Sequence, residues 1–434
     1  MTQSDSQIAR VEPPPPLSPQ DVERRNFLLN LLDGALFISS GGIVTVQTVI
    51  PALVVRLGGN DVAVGALVVV VYVGAFLPQV LAARVVETVA WKKPWSVKYG
   101  FYQRLLLLLN VFVIWTLGAS YPGLALALFL FLFAAQQVMG GIATPGWFDF
   151  FTKLTPVRKR GRLIGLRISL GGFGALLSGL LLTWLLSRYS FPANYAIALL
   201  VASLLQFSSL FVQRKALELE PSKISVRKPL FVFLRDLPEV LRRDPDFRKF
   251  LISSAFLVPA TMPVGFFTVY VLRRFQTGEG IVGTLTLSMI AIQVVSALVT
   301  GYFADRHGNK LALIVAASAM LCASTVALLA PSAEWFILVY MFVGINAGTE
   351  IMTRYNMAVE YGPPEKRATY VGLMNTLLAP LYLSGLLGGV ISETLGYGAL
   401  FGLGFCCSAI GLWLLINKVR EPRGFTTGST TGPS

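Results

Sequence analysis

Apolar runs long enough to cross a hydrocarbon layer recur along nearly the whole chain, and no other feature restricts the fold as strongly. They fall at residues 26–55, 62–83, 100–119, 123–146, 163–187, 192–212, 248–272, 281–303, 311–330, 335–357, 370–391 and 398–416, each bounded by glycine, proline or charge. A helix needs about 20 mainly apolar residues to span, so twelve of them take roughly 240 residues and leave about 190 for loops and ends. A composition of 54% hydrophobic and 13% charged residues, with a mean hydropathy of +0.66, excludes a soluble domain. The expected class is an all-α membrane protein with twelve transmembrane helices.

Charge sets the expected topology. With twelve spans both ends lie on one side, and 32 of the 36 lysines and arginines fall on that side; only Arg56, Arg188, Arg273 and Arg274 fall opposite. Positive charge favours the cytoplasm, so both termini are expected there, in what reads as a bacterial cytoplasmic membrane. The net charge of +14 is then mainly a topology signal with attraction to anionic headgroups, and no soluble basic face offers itself to nucleic acid. The first 25 residues carry four consecutive prolines and no apolar stretch behind their charges, which reads as a disordered cytoplasmic tail rather than a signal peptide. Cys322, Cys406 and Cys407 have no spacing suited to a metal or a disulfide framework.

The chain divides into a tail at 1–25, a six-helix bundle at 26–212, a cytoplasmic linker at 213–247, a second six-helix bundle at 248–417 and a disordered tail at 418–434. Within the linker, Leu230, Phe233, Leu234, Leu237 and Leu241 recur at helical spacing, predicting a short amphipathic helix on the membrane surface. The bundles repeat each other: "TPVRKRGRLIGL" at 155–166 aligns with "GPPEKRATYVGL" at 362–373, and "RNFLL" at 25–29 with "RKFLI" at 248–252. Two parallel, pseudo-symmetric halves are a transporter architecture.

Between spans eight and nine lies "GYFADRHGNK". With Gly301, Asp305, Arg306, Gly308 and Lys310 it resembles the loop signature of the major facilitator superfamily, Gly-x-x-x-Asp-Arg-x-Gly-x-Lys/Arg. The resemblance covers about residues 24–417 and implies a latch on the inner gate, with Arg367 and the Arg160 to Arg162 region as partners. The matching copy after span two is eroded to "LAARVVETVAWKKP", where Glu87, Lys92 and Lys93 stand in, and span five lacks the family's antiporter pattern of Gly-Pro followed by paired glycines.

Ionisable residues inside spans cost about 2.5 to 3.5 kcal/mol each on insertion scales and are functional candidates by default. Asp33 shares a helix face with Asn30, and Glu350 can pair with Arg354 at i+4. The family resemblance implies that spans one, four, seven and ten line a central cavity, with Asp33 opposite Glu350 and Arg354. Three readings stand: Asp33 or Glu350 titrates or exchanges its arginine during transport, Arg354 receives an anionic substrate group, or the ion pair is a permanent structural one. Gln136, Gln137, Asn110, Gln47, Gln293, Asn346 and Asn375 are further polar groups at span depth that can meet a substrate or bond between helices. Pro259 and Pro263 predict a bend in span seven.

No enzyme motif, metal cluster or cofactor fingerprint occurs, so neither catalytic residues nor a cofactor is expected. The expected function is a monomeric secondary transporter moving a small solute by alternating access, with proton-coupled efflux of a lipophilic or amphipathic compound the favoured form. The alternative is a non-transporting assembly factor or sensor with the same fold. An aromatic-filled cavity would favour that alternative, and a connected polar one would favour transport.

Overall fold

The computed structural model describes residues 18–222, 241–363 and 367–422. Among these residues the chain is helical and strand-free, and eleven helices are long and apolar enough to cross a membrane. The first half comprises α1 (Pro19–Ser40), α2 (Val49–Arg56), α3 (Asp61–Val86), α4 (Lys92–Leu117), α5 (Pro122–Leu154), α6 (Val157–Arg188) and α7 (Ala193–Arg214). The second comprises α8 (Pro245–Ala260), α9 (Val264–Arg274), α10 (Gly280–His307), α11 (Asn309–Leu329), α12 (Trp335–Tyr361), α13 (Arg367–Leu378), a 3-10 turn (Ala379–Leu383), α14 (Ser384–Thr394) and α15 (Tyr397–Asn417). The predicted linker helix falls mostly on residues 223–240, and the tails on 1–17 and 423–434, outside the described residues.

The halves pack by one scheme. In the first, α4 and α3 lie against α5 while α7 lies against α1 and α4; in the second, α11 and α10 lie against α12 while α15 lies against α8 and α11. The halves meet chiefly along α6 with α10 and α3 with α14, with smaller contacts of α2 with α9 and α10 and of α3 with α9. We call the end carrying residues 18 and 422 the tail end and the other the far end.

The first predicted span is where sequence and structure differ most. Instead of one helix over 26–55, α1 starts at Pro19, stops at Ser40, and gives way to turns at 41–48 before α2. Gly42 touches the α6 backbone so closely that a Cβ there would overlap the Ala175 carbonyl. Pro51 has no N–H to offer the carbonyl four residues back, and that carbonyl, on Gln47, accepts a hydrogen bond from the buried Tyr340 hydroxyl at 2.8 Å. The bend predicted from Pro259 and Pro263 is a full break: α8 ends at Ala260 and α9 begins at Val264. Tyr340 Oη also lies 3.1 Å from the Val264 carbonyl and 2.6 Å from Thr268 Oγ1, so one hydroxyl serves the broken backbone of both halves. Irregular backbone at membrane depth needs such internal partners.

Each half is closed at the tail end by a carboxylate just past its last helix. Glu218 accepts the first backbone amides of α4, from Lys92 at 3.0 Å and Lys93 at 2.9 Å, and the Lys153 ammonium at 2.6 Å. Helix α4 has no capping bond from its own N-cap residue, Trp91, and basic residues in its first turn, so a carboxylate there offsets both defects. Glu421 does the same in the second half, accepting the Lys310 amide at 2.8 Å. Gly308, at φ +88, leaves its Cβ position to the Glu421 carboxylate, so any side chain there is both strained and obstructed.

Candidate functional site

Two buried ionic centres lie at span depth. The first is wholly within the first half. α1 carries Asn26, Asn30 and Asp33 on one buried face, and α7 offers Gln206, Ser209 and Gln213 at similar spacing. Asp33 accepts a hydrogen bond from Ser209 at 2.7 Å and lies 3.5 Å from the Arg167 guanidinium of α6. Arg167 also donates to the Asn30 carbonyl at 2.8 Å and sits over the rings of Trp147 and Phe151. Arg104 donates to Ser209 and to the Gln206 carbonyl. Asn30 donates to Thr155 at 3.3 Å.

The structure therefore does not set Asp33 facing Glu350 and Arg354; its partners are Arg167 and Ser209. Arg104 and Arg167 fall only four residues into the predicted spans three and five, were counted with the tail-side cations and were missed as site residues, because those spans were started too late. Arg167 lies ten residues into α6, and that depth was the available signal. Because α1 begins seven residues before the predicted span, Asp33 lies about 21 Å along it at about 1.5 Å per residue.

The second centre lies where the halves meet. On α12, Arg354 pairs with Glu350 at 2.9 Å and donates to the Tyr382 hydroxyl at 2.9 Å. Pro380 interrupts the helix between α13 and α14, and Tyr382 lies in the resulting 3-10 turn. Its ring stacks on Tyr72 of α3 at 4.0 Å between centroids. A small cavity beside them is lined by Phe76 from the first half and by Arg354, Tyr355, Asn375 and Tyr382 from the second. Arg354 is 6% exposed, and its Nε has no hydrogen-bond partner. A buried donor without a partner costs about 1–3 kcal/mol, so this N–H is a ready site for an acceptor on a ligand. Gln136 and Gln137, on α5, belong to neither centre; Gln136 is buried with an unpartnered Oε1.

At the far end the halves are sealed together. Arg273 bonds Asp61 at 2.6 Å, Tyr397 donates to the same carboxylate at 3.0 Å, and Glu393 accepts the Asp61 amide. Arg56 pairs with Glu279, which also accepts from Asn194. Behind these lies one apolar core shared by both halves, to which α2 contributes Ile50 and Leu53 and α9 contributes Phe266 and Phe267. Losing the Arg273 bond to a nearly buried carboxylate is worth about 1.5 kcal/mol or more. Arg273→Gln is therefore expected to raise labelling of far-end cysteine probes about tenfold; unchanged labelling would show that the apolar core alone keeps this end shut.

Toward the tail end the same helices part. Along α6 and α10, Gly172 meets Val294, Gly179 meets Leu287, Thr183 meets Gly283 and Ser187 meets Gly280. Continued, this antiparallel register sets Gly165 opposite Gly301, yet among the described residues no atom lies within 4 Å of either Cβ position. Of the loop signature, Lys310 reaches the Ile416 carbonyl and Arg306 lies over the Tyr302 ring at 4.4 Å. Arg160 donates to the Thr152 and Thr155 carbonyls at the end of α5. The side chains of Asp305 and Arg367 are outside the described residues. Glu421, which sequence reasoning missed, is the partner found for this loop.

Two repeated bundles of membrane-crossing helices, joined chiefly along two helix pairs and enclosing an ionic centre between them, define a multi-pass transporter architecture. The sequence profile of the Major Facilitator Superfamily matches residues 32–381 and 260–432, and the chain belongs to that family. It is an integral membrane transporter and not an enzyme. Solved structures agree on the fold. A D323A mutant of the nucleoside transporter NupG superposes with a TM-score of 0.66 at 14% identity, over 91% of this chain and 99% of that one. A D-xylose-proton symporter gives 0.65 at 12% identity, over 92% and 99%. A bacterial homologue of the iron transporter ferroportin gives 0.62 in an inward-facing state, at 14% identity over 92% and 99%, and 0.52 in an outward-facing state, at 13% over 91% and 98%. No curated protein sequence matches the chain.

Proposed function

We propose that this protein is a proton-coupled secondary transporter working by alternating access, and that both termini lie in the cytoplasm of a bacterial cell, so that the conformation described faces inward. The Glu350–Arg354–Tyr382 centre is the site of substrate binding and coupling. The observation that carries this reading is the unpartnered Arg354 Nε beside the cavity between the halves. The better superposition on an inward-facing than on an outward-facing ferroportin homologue supports the assigned state.

The chemistry of the lining narrows the solute. Arg354 offers a donor to a carboxylate or carbonyl, while Tyr72, Phe76 and Tyr382 offer ring faces, so an amphipathic compound joining an aromatic or apolar body to an acceptor group matches the lining, and compound and proton bind together and move in the same direction. A substrate carboxylate competing for Arg354 would release Glu350 to take up a proton, which links binding to protonation. Asp33 is instead read as a structural ion-pair member, since its oxygens are engaged inside one half.

A thermal-shift screen of purified protein against aromatic carboxylates, with their neutral amides as controls, tests the site. The acids are expected to stabilise the protein and the amides to do so less; Arg354→Gln is expected to remove the difference. In proteoliposomes, Glu350→Gln is expected to cut pH-driven flux of an identified ligand by about 100-fold, in the range general acid–base groups contribute, with folded yield retained. Wild-type coupling in that variant would overturn the assignment.

A further inference from the structure

On the lipid-facing side of the first half, away from the junction of the halves, α4 and α7 bound a groove lined by Lys98, Phe101, Tyr102, Phe207, Phe211 and Arg214. It encloses about 310 Å³, at the lower end of small-molecule sites. Each helix contributes one stripe. Lys98 and Tyr102 are one turn apart on α4; Phe207, Phe211 and Arg214 follow at helical spacing on α7. The helices are antiparallel, and each stripe has its cation at the tail end with aromatic rings deeper in the span. Phe207 lies about 10 Å further in than Arg214.

Lys98 and Arg214 are exposed, and among the described residues neither has a carboxylate partner. Two cations without a carboxylate partner at the mouth of an apolar trough, Lys98 lying over the Tyr99 ring at 5.6 Å, match a ligand with a negative head and a hydrocarbon body. Repulsion between two such mouths disfavours a second copy as the occupant. The second half lacks the device: aligning the two capped helix starts and the two capping glutamates puts Val315 at the place of Lys98 and Asn417 at that of Arg214.

We propose that this groove is a binding site for an anionic phospholipid, its phosphate held between Lys98 and Arg214 and an acyl chain lying along Phe101, Phe207 and Phe211. Basic pockets between transmembrane helices recognise anionic headgroups in this way. The site is independent of the central cavity, since α4 and α7 pack on elements of the first half.

Native mass spectrometry of the purified full chain tests it, with phosphatidylglycerol and phosphatidylcholine of identical acyl chains as probes. Wild type is expected to retain phosphatidylglycerol about tenfold or more over phosphatidylcholine. Lys98→Gln/Arg214→Gln is expected to lose that preference, whereas a control pair of exposed cations at the same end, Arg158→Gln/Arg162→Gln, keeps it. If the double variant does not fold, Lys98→Gln alone is expected to reduce the preference. Phe207→Ala/Phe211→Ala is expected to lower phosphatidylglycerol retention with both cations present. The proposal is overturned if the Lys98 and Arg214 variants keep the full preference, if glycerol phosphate competes as well as the lipid does, or if the groove proves to be covered by a second copy in a dimer that these variants dissolve.

Discussion

Valine at both Gly165 and Gly301 is expected to leave the protein folded and unable to close its tail end. The α6–α10 register pairs these two residues, and both face open space in the conformation described. Their contact is the last step of a zipper whose far-end steps are already formed by Gly172, Gly179, Gly280 and Gly283. Small residues let transmembrane helices approach closely, and added volume blocks that approach. Since among the described residues nothing lies within 4 Å of a Cβ at Gly165 or Gly301, the substitutions cost the open state little. A cysteine pair at the same positions, in a background lacking Cys322, Cys406 and Cys407, is expected to cross-link with a short bifunctional reagent when the tail end closes. Its yield should rise when Arg273→Gln loosens the far end. Absence of cross-linking under every condition, or full transport by the double valine variant, would show that the helices do not close in this register.

Asp33→Asn is expected to be among the most destabilising single substitutions in the chain, and Arg167→Gln added to it is expected to restore much of the loss. Breaking a buried ion pair by removing one partner costs about 3–5 kcal/mol, because the remaining charge is left uncompensated. Here Arg167 and Arg104 are both buried near Asp33, so losing the one carboxylate found in the cluster among the described residues leaves two cations with neutral acceptors. A double-mutant cycle on thermal or denaturant unfolding measures the coupling. Equal loss in the single and double variants would mean that Asp33 acts through Ser209 rather than through Arg167. Loss of proton-driven flux in a stable Asp33→Asn protein would move the coupling role from Glu350 to Asp33.

The crossing helices were legible because hydrophobic runs and charged loops report directly on the solvent around a chain. Glu350 with Arg354 was legible for a different reason: their i+4 spacing makes pairing a local matter. Arg167 shows where that logic stops. Its partner is over a hundred residues away, and a cation near the start of a span looks like a loop residue until its helix is seen to begin ten residues earlier. The interruption at 41–48 was hidden because Gly41 and Gly42 are followed by Ile43 and Val44, so the hydropathy runs on while the helix does not. Glu421 could be found only through the fold, since it caps a helix more than a hundred residues before it.

The glutamates at 218 and 421 bear on how such a chain came to be. Each stands four residues past the last helix of its half and reaches back to that half's third crossing. A primordial gene duplication that copied only six hydrophobic segments would have left both copies unfastened at one rim. A duplicated unit that ran four residues past its final helix would supply both fastenings at once.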